Sequence, residues 1–439
     1  MFSLFDLDNR TIKRWNGLAA GCQRRLGETR IVYGNPGTIL NDVRVMLEAV
    51  GPDGMATQSH NGCVPSDRLA GLNAKVGHPL EIPLKRPLLR DYPNLAGVFV
   101  LLRVMGLLVA ERNRLVLSPP VMGLWTSLNP TEQYFTLLEA LMFHAGSSVL
   151  GQVRTRNEFT GLECVHSFLA RLNPQSLAFG GSETPYLLRP GGYIPEWMSF
   201  LLQQFGLIDL RAQPQGRRAY GGRGWLAENA RLTPWGVAVT WALLEFWKQR
   251  HKLNKDGNSD PDQPGPGGEP GLGFGSLKPF FQTHVPEWRR VFALSKPAFH
   301  TGTHVFKVTL GRWQGGAGGI WRRLAVPPGC DLDSLAGAIL KAFKLDDDHL
   351  YDFQYRDKNG RTRNYEHPSS DDGPTTTEIL IGELELPPGE TMRFIFDYGD
   401  HWEFKVRLER IEDGTSRLRV PKVIESAGKP PPQYPPGEW

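Results

Sequence analysis

Two short stretches in the C-terminal third of the chain contain enough carboxylate and imidazole groups to hold a divalent metal ion. The first is Asp346-Asp347-Asp348-His349, and the second supplies Asp397, Asp400, His401 and Glu403. Carboxylate oxygens are ligands for hard cations, and a bound metal can activate water for hydrolysis. The structural alternative is that turn aspartates accept hydrogen bonds from backbone N–H groups. A metal-dependent hydrolase is therefore the least favoured of three functional hypotheses, and we favour the structural interpretation.

The second stretch lies within a predicted β-hairpin that runs from Met392 to Glu409. Apolar and charged residues alternate strictly from Trp402 onward, which is typical of a strand with one buried face. Gly399 and the neighbouring aspartates tolerate the backbone angles of a tight reversal. We predict a strand, a turn and a second strand, with Trp402 packed in the core.

The surrounding residues predict a compact α+β domain between residues 279 and 426. Strands are expected at 304–310, 320–327 and 349–355, and Asp331 or Asp333 is expected to cap a helix that faces the sheet. The resulting fold is an antiparallel sheet packed on a helix.

Three phrases in this domain resemble the plasmid pRiA4b ORF-3-like family, whose members are also labelled passengers of insertion elements. They are IWRRLAVP, LAGAILKAFKLDDDHLYDFQY and FIFDYGDHWEFKVRLE, in this order. The resemblance covers roughly residues 295–435, and residues 39–142 also look like the N-terminal part of longer members. It implies an α+β fold and a bacterial, mobile-element setting such as a plasmid, without established catalytic residues. The most specific positions are Asp397, Tyr398, Gly399, Asp400, His401 and Trp402.

The N-terminal half is predicted to be mostly helical and to contain two winged-helix-like modules, at residues 1–150 and 151–250. The segment from Leu101 to Leu108 aligns with a similar segment from Leu201 to Ile208. Each segment predicts a helix, a glycine and a strand of a hairpin, which is the order in a winged helix, where residues 95–105 would be the recognition helix. The alternative is a generic helix-to-strand ending.

The charge distribution favours an anionic partner for this half. The chain has a net charge of +4; residues 1–250 hold 26 Lys+Arg and 19 Asp+Glu, or +7, and the remainder holds 24 and 27, or −3. In the second module, an arginine- and glycine-rich hairpin tip could contact a phosphate backbone, or it could be a solvated loop. The candidate nucleic-acid-binding residues are Arg103, Arg112, Arg114, Arg217, Arg218 and Arg223.

Other features of the chain limit the classes of protein that we expect. Residues 251–278 are rich in Gly, Pro and Asp and are predicted to be a disordered linker, and residues 427–439 form a Pro-rich tail that packs on its own domain or binds a partner. The four cysteines form no C-x-x-C pair, which indicates reduced thiols and no thiolate metal site. With neither a secretory signal nor a membrane-length apolar run, we expect a cytoplasmic protein without a cofactor.

These observations favour a non-enzymatic nucleic-acid-binding accessory or regulatory protein, with DNA as the expected partner, and the family resemblance implies an association with mobile elements. The alternative is a protein–protein interaction adaptor that does not bind nucleic acid. The predicted recognition helix has a single basic residue, Arg103, which favours the adaptor. In either case the C-terminal domain or the Pro-rich tail is the expected protein-binding part.

Overall fold

The computed structural model contains two compact units, Met1–Leu294 and Ser295–Trp439. We call them unit 1 and unit 2. The structure describes residues 9–57, 63–82, 84–111, 114–150, 161–162, 165, 169, 195–214, 225–250, 272–293, 299–311, 319–357, 362–370 and 374–434. Most of the predicted linker lies outside the described residues. No helix in the described ranges is both long enough and apolar enough to span a membrane.

Unit 1 is mostly helical, as predicted. Among its helices in the described ranges are α1 Asn9–Asn16, α2 Ala19–Glu28, α3 Ile39–Val50, α4 Ser66–Asn73, α5 Pro93–Val104, α6 Pro119–Ser127, α7 Pro130–Phe143, α8 Glu196–Gln204, α9 Pro234–Arg250 and α10 Lys278–Phe281. Its strands are β1 Met55–Ala56, β2 Leu108–Glu111, β3 Arg114–Leu117, β4 Ile208–Pro214 and β5 Trp225–Leu232. β1, β3 and β2 form one small sheet, and β4 pairs with β5 in a separate hairpin.

The predicted order of helix, glycine and hairpin is confirmed in both modules. α5 and α8 end in the same way: the N–H of Leu107 donates to the carbonyl of Leu102, and that of Leu207 donates to Leu202, at 3.0 and 2.9 Å. Gly106 and Gly206 both have a φ of +73°, a left-handed conformation that favours glycine at the end of a helix. The sequence similarity therefore corresponds to a repeated local structure.

A winged-helix module is nevertheless not shown, because the helix in the recognition position is inside the core. Every residue of α5 is buried. A Cβ atom added at Gly97 would lie 2.5 Å from the Cγ atom of Leu201, so α5 and α8 are in direct contact there. A recognition helix must present side chains to the DNA groove, whereas α5 presents its side chains to unit 1 itself.

Unit 2 has the predicted α+β architecture, with a seven-stranded antiparallel sheet and one helix. The elements are β6 His304–Leu310, β7 Trp321–Val326, α11 Leu332–Phe343, β8 Tyr351–Arg356, β9 Thr362–Glu366, β10 Thr391–Phe396, β11 Trp402–Ile411 and β12 Lys422–Ala427. The strand order is β12-β7-β6-β11-β10-β8-β9. The central hairpin of β10 and β11 is therefore flanked by β8 and β6, which fixes both of its strands.

The core of unit 2 lies between the sheet and α11. Phe394 pairs with Phe404 in the hairpin, and the rings of Phe404 and Phe343 of α11 have their centroids 4.9 Å apart. Asp331 caps α11, as predicted, by accepting a hydrogen bond from the N–H of Ser334 at 2.8 Å. The predicted packing of Trp402 in the core is also confirmed, since this side chain is buried.

Candidate functional site

The turn between β10 and β11 is built around Asp397. Its carboxylate oxygen Oδ1 accepts hydrogen bonds from the N–H of Gly399 at 2.8 Å and of Asp400 at 3.3 Å. The N–H of His401 donates to the carbonyl of Asp397 at 2.7 Å. Asp397 and His401 both have positive φ angles, 56° and 58°, which Asp and His tolerate better than bulky residues do. One oxygen of Asp397 therefore has the structural role that was predicted for turn aspartates.

The other oxygen of Asp397 faces a loop that follows α11. Oδ2 lies 3.4 Å from Nε2 of His349, and the N–H of Asp397 donates to the carbonyl of Leu350 at 3.0 Å. The loop begins where Lys344 ends α11 in the left-handed conformation, and residues 346–350 are exposed. The two acidic stretches therefore meet at one end of the sheet, joined by a backbone hydrogen bond and by the contact of a carboxylate with an imidazole.

The C-terminal tail adds a third component. Gln433 is buried: its Nε2 donates to Oδ1 of Asp348 at 2.9 Å, and its Oε1 accepts from the N–H of Asp346 at 2.5 Å. The hydroxyl of Tyr434 donates to Oδ2 of Asp348. This hydrogen bond holds the pKa of Asp348 below its usual range and raises the pKa of Tyr434 to about 12. The described part of the tail therefore packs on its own unit.

These three segments form one surface, which we call the acidic–aromatic patch. It consists of Asp346, Asp347, Asp348, His349, Leu350, Asp397, Tyr398, Asp400 and Tyr434. Leu350, Tyr398 and Tyr434 are 44%, 45% and 45% exposed. Arg393 of β10 is paired with Glu403 of β11 at 3.2 Å. The patch therefore combines exposed carboxylates with exposed rings.

The geometry gives no support to a metal centre. Within the described ranges, no three or more His, Cys, Asp or Glu residues are grouped so that they could hold a metal ion. Asp397 uses one oxygen for the turn amides, and Asp348 uses both oxygens to accept hydrogen bonds from Gln433 and Tyr434. What the arrangement can do chemically is bind a positively charged group at the surface.

Two of the six predicted nucleic-acid-binding residues, Arg103 and Arg114, lie within the described residues. Arg103 is only 7% exposed, and its guanidinium donates to the carbonyl of Leu108 at 3.3 Å. The Arg114 guanidinium donates to the carbonyl of Gly54 at 3.1 Å, which ties β3 to the turn that precedes β1. The other four predicted arginines, Arg112, Arg217, Arg218 and Arg223, lie outside the described residues.

Sequence reasoning found the turn and the aspartate loop but missed Gln433 and Tyr434. These two residues lie 85 to 87 positions from their partners, and no local periodicity reports such a contact. The available signal was the Gln-Tyr pair that interrupts the run of prolines. A polyproline segment needs neither side chain, and a tyrosine hydroxyl usually finds a hydrogen-bond partner when its ring packs on the protein.

Comparison with known proteins identifies the domain that contains this site. Residues 303–438 match the family described as plasmid pRiA4b ORF-3-like protein, which confirms the predicted resemblance, so this part of the chain is a domain of that family. The "Uncharacterized protein y4hQ" of Sinorhizobium fredii is 26% identical over 122 residues, which are 27% of this chain and 61% of the relative. The chain thus spans about three fifths of that relative's length.

The comparison with solved structures also gives a match. The crystal structure of MM3350, a protein of unknown function from Methanosarcina mazei Go1, has 24% sequence identity to this chain. The match covers 29% of this chain and 70% of that chain, with a TM-score of 0.26. Neither of these two proteins has a name that states an activity.

Proposed function

We propose that the protein is a non-enzymatic interaction adaptor whose unit 2 binds a cationic segment of a partner protein through the acidic–aromatic patch. The observation that supports this proposal is the juxtaposition of exposed carboxylates with exposed rings. Asp347 and Asp400 are exposed, and the rings of Tyr398 and Tyr434 are each 45% exposed. Carboxylates attract Lys and Arg side chains, while aromatic faces contact the same cations and the apolar stems that carry them.

The expected affinity comes from several weak contacts. An exposed ion pair contributes about 0 to 1 kcal/mol, and a cation over an exposed aromatic ring contributes about 0.5 to 1 kcal/mol. Several such contacts are therefore required for a stable complex. Because exposed charges are screened over a Debye length of about 8 Å at physiological ionic strength, binding should weaken as salt is added.

Fluorescence anisotropy with the full chain tests the proposal. A labelled oligoarginine peptide containing tyrosine should bind, and an oligoglutamate peptide of equal length should not. The double variant Asp347→Asn/Asp400→Asn should weaken binding about tenfold, which corresponds to about 1.4 kcal/mol.

The hairpin itself offers a matched control. Glu390 and Asp413 are exposed acidic residues at the opposite end of β10 and β11. The variant Glu390→Gln/Asp413→Asn removes the same formal charge and should leave binding unchanged. Equal losses of affinity in both double variants would mean that overall charge, and not the patch, attracts the peptide.

Binding of DNA by unit 1 is a second candidate function. It is supported by the net charge of +7 on residues 1–250 and by the two helix–glycine–hairpin elements, which we propose as winged-helix-like modules that use a hairpin and not α5 as the contact surface. Duplex DNA should then bind the full chain with an affinity that falls steeply with salt, and Arg217→Ala/Arg218→Ala/Arg223→Ala should weaken it. Absence of DNA binding at low salt would leave the adaptor proposal alone.

A further inference from the structure

The face of the unit 2 sheet that points away from α11 carries a cluster of cations. In β11, Phe404 and Val406 are buried, and the ring of Phe404 packs on Phe343 of α11. Lys405 and Arg407, which alternate with these residues, are exposed. Because successive side chains of a strand point to opposite faces, both cations lie on the far side of the sheet from the helix. We call this surface the basic face; it consists of Lys307, Arg323, Arg393, Lys405 and Arg407.

The cations of the basic face stand directly opposite one another in neighbouring strands. Lys307 of β6 is paired with Arg407 of β11 on one side and with Arg323 of β7 on the other. Arg393 of β10 is paired with Lys405 of β11 in the next row. Like charges in directly opposite positions destabilise a pair of strands. A local arrangement that lowers stability in this way is typical of a surface that serves a ligand.

Acidic side chains in the described strands pair with two of the five cations. Glu409 accepts a hydrogen bond from Nε of Arg323 at 2.7 Å, and Glu425 forms a second ion pair with the same guanidinium. Glu403 is paired with Arg393 at 3.2 Å. The cations that form no ion pair with any described residue are Lys307, Lys405 and Arg407.

These three cations lie close together on the sheet. Nζ of Lys307 lies 4.5 Å from the centre of the Trp321 ring, a cation–π contact that holds the ammonium in place. Nε of Arg407 donates to the carbonyl of Gly389 at 3.1 Å, so that its guanidinium is also oriented. Neighbouring strands are about 4.8 Å apart, and alternate residues of one strand are about 6.8 Å apart. The backbone positions of the three cations therefore lie within about 8 Å of one another.

The surroundings of this cluster indicate the class of ligand. The described strands β6, β7, β10 and β11 carry no exposed large hydrophobic side chain. A protein partner normally buries an apolar core at the centre of the interface, whereas a phosphate backbone is bound by charge, through the release of its counterions. Trp321 is partly exposed beside the cations, and an aromatic ring within a basic surface is typical of proteins that bind single-stranded nucleic acid.

We propose that the basic face binds single-stranded nucleic acid through its phosphate backbone, with Lys307, Lys405 and Arg407 as the contact residues. A cluster about 8 Å wide is narrower than the major groove of a duplex, which is about 12 Å wide, so it contacts the phosphates of one strand. A bound phosphate also relieves the repulsion between opposite cations. The basic face shares no residue with the acidic–aromatic patch or with unit 1.

Fluorescence anisotropy of a labelled oligothymidylate of about 12 nucleotides, added to the full chain, tests the proposal. A single strand releases about 0.7 counterion per phosphate contact, so three contacts should make log K fall with log salt concentration at a slope of about −2. The variant Lys405→Gln/Arg407→Gln should weaken binding at low salt about tenfold and bring the slope to about −0.7.

A matched control removes one lysine and one arginine outside the basic face. Lys341 lies on α11 and Arg417 follows β11, and both are exposed. The variant Lys341→Gln/Arg417→Gln should bind oligothymidylate as the wild-type chain does. The variant Arg217→Ala/Arg218→Ala/Arg223→Ala should also retain this binding, which separates the basic face from the duplex DNA binding proposed for unit 1.

Thermal unfolding separates a binding role from a structural one. Lys405→Gln removes a charge that stands opposite Arg393, and Arg407→Gln removes one opposite Lys307. Relief of like-charge repulsion should leave the melting temperature of the double variant unchanged or higher, although the variant loses affinity for oligothymidylate.

Four results would overturn the proposal. Absence of binding by the wild-type chain at low salt does so without any variant. Equal losses in both double variants would mean that total charge attracts the oligonucleotide. Oligoglutamate binding as tight as that of oligothymidylate would assign the basic face to an acidic protein segment. A lower melting temperature with unchanged binding would make the cations structural. None of these results depends on oligoarginine binding by the acidic–aromatic patch, so the adaptor proposal is tested separately.

Discussion

Two carboxylate sites of this protein have the same chemical groups and opposite environments. Glu139 in unit 1 is buried and burial raises its pKa to about 7, whereas Asp348 in unit 2 is exposed and a hydrogen bond from Tyr434 lowers its pKa. Both accept two hydrogen bonds from neutral donors. The comparison shows that access to water, more than the number of hydrogen bonds, decides whether a carboxylate stays charged.

The environments also differ in their aromatic neighbours. Phe135, one turn before Glu139 on α7, is completely buried and stacks on Trp288, while Tyr398 beside the aspartates is nearly half exposed. Buried rings stabilise the fold through packing, and exposed rings remain available to a partner. Substitutions of the buried ring and of the exposed ring should therefore have different effects on stability.

The largest expected effect is that of Phe135→Ala. Loss of the stacked contact with Trp288 and the cavity left behind should lower the free energy of unfolding of unit 1 by about 3 to 5 kcal/mol. Tyr398→Ala, the exposed counterpart, should change the stability of unit 2 by less than about 0.5 kcal/mol. Urea unfolding followed by hydrogen exchange reports each unit through its own peptides. Equal effects of the two substitutions would mean that exposure does not separate the two rings.

The sequence predicted the exposed site much better than the buried one, for a physical reason. In unit 2 the alternation of β11 and the turn residues around Gly399 are local signals, and they placed the hairpin and its tip correctly. In unit 1, every residue of α7 from Thr131 to Met142 is buried, including two glutamates. Glu132 and Glu139 can be buried because the N–H groups of Gly275, Leu277 and Arg290 donate hydrogen bonds to their carboxylates. These donors lie more than 130 residues away along the chain, so no local sequence pattern predicts the contacts.

The edges of the sheet in unit 2 were also missed. β9 contains a single apolar side chain, Tyr365, and β12 is exposed along nearly its whole length. Neither strand shows the alternation of buried and exposed residues from which β11 was predicted. Edge strands are held by pairing with a neighbour, here β8 for β9 and β7 for β12, and pairing partners cannot be read from one strand alone.

An intermediate effect is expected at Asp397, which links the turn to the patch. Asp397→Ala removes the acceptor for two turn amides and should destabilise unit 2 by about 1 to 2 kcal/mol. Asp397→Asn retains an oxygen at the same position and tolerates the positive φ, so it should cost less than about 0.5 kcal/mol. Thermal unfolding of both variants measures the difference. A large cost for Asn would mean that the charge facing His349, and not the turn, stabilises the site.

The smallest expected effect is that of Tyr434→Phe, which acts through Asp348. The contribution of Asp348 to folding stability depends on pH with the opposite sign to that of Glu139, because the folded pKa of Asp348 is lowered and that of Glu139 is raised. The folded pKa of Asp348 is depressed, so its contribution to stability is present above the unfolded pKa of about 3.9 and is lost as pH falls through the folded value. Removing the hydroxyl should bring the pKa of Asp348 back toward its usual value with little change in stability at neutral pH, because the pair is exposed. Carbon-13 NMR of labelled aspartate carboxyls measures this titration directly. If Asp348 titrated identically in the variant, Gln433 would be its controlling donor, and the tail would hold the loop through its buried amide alone.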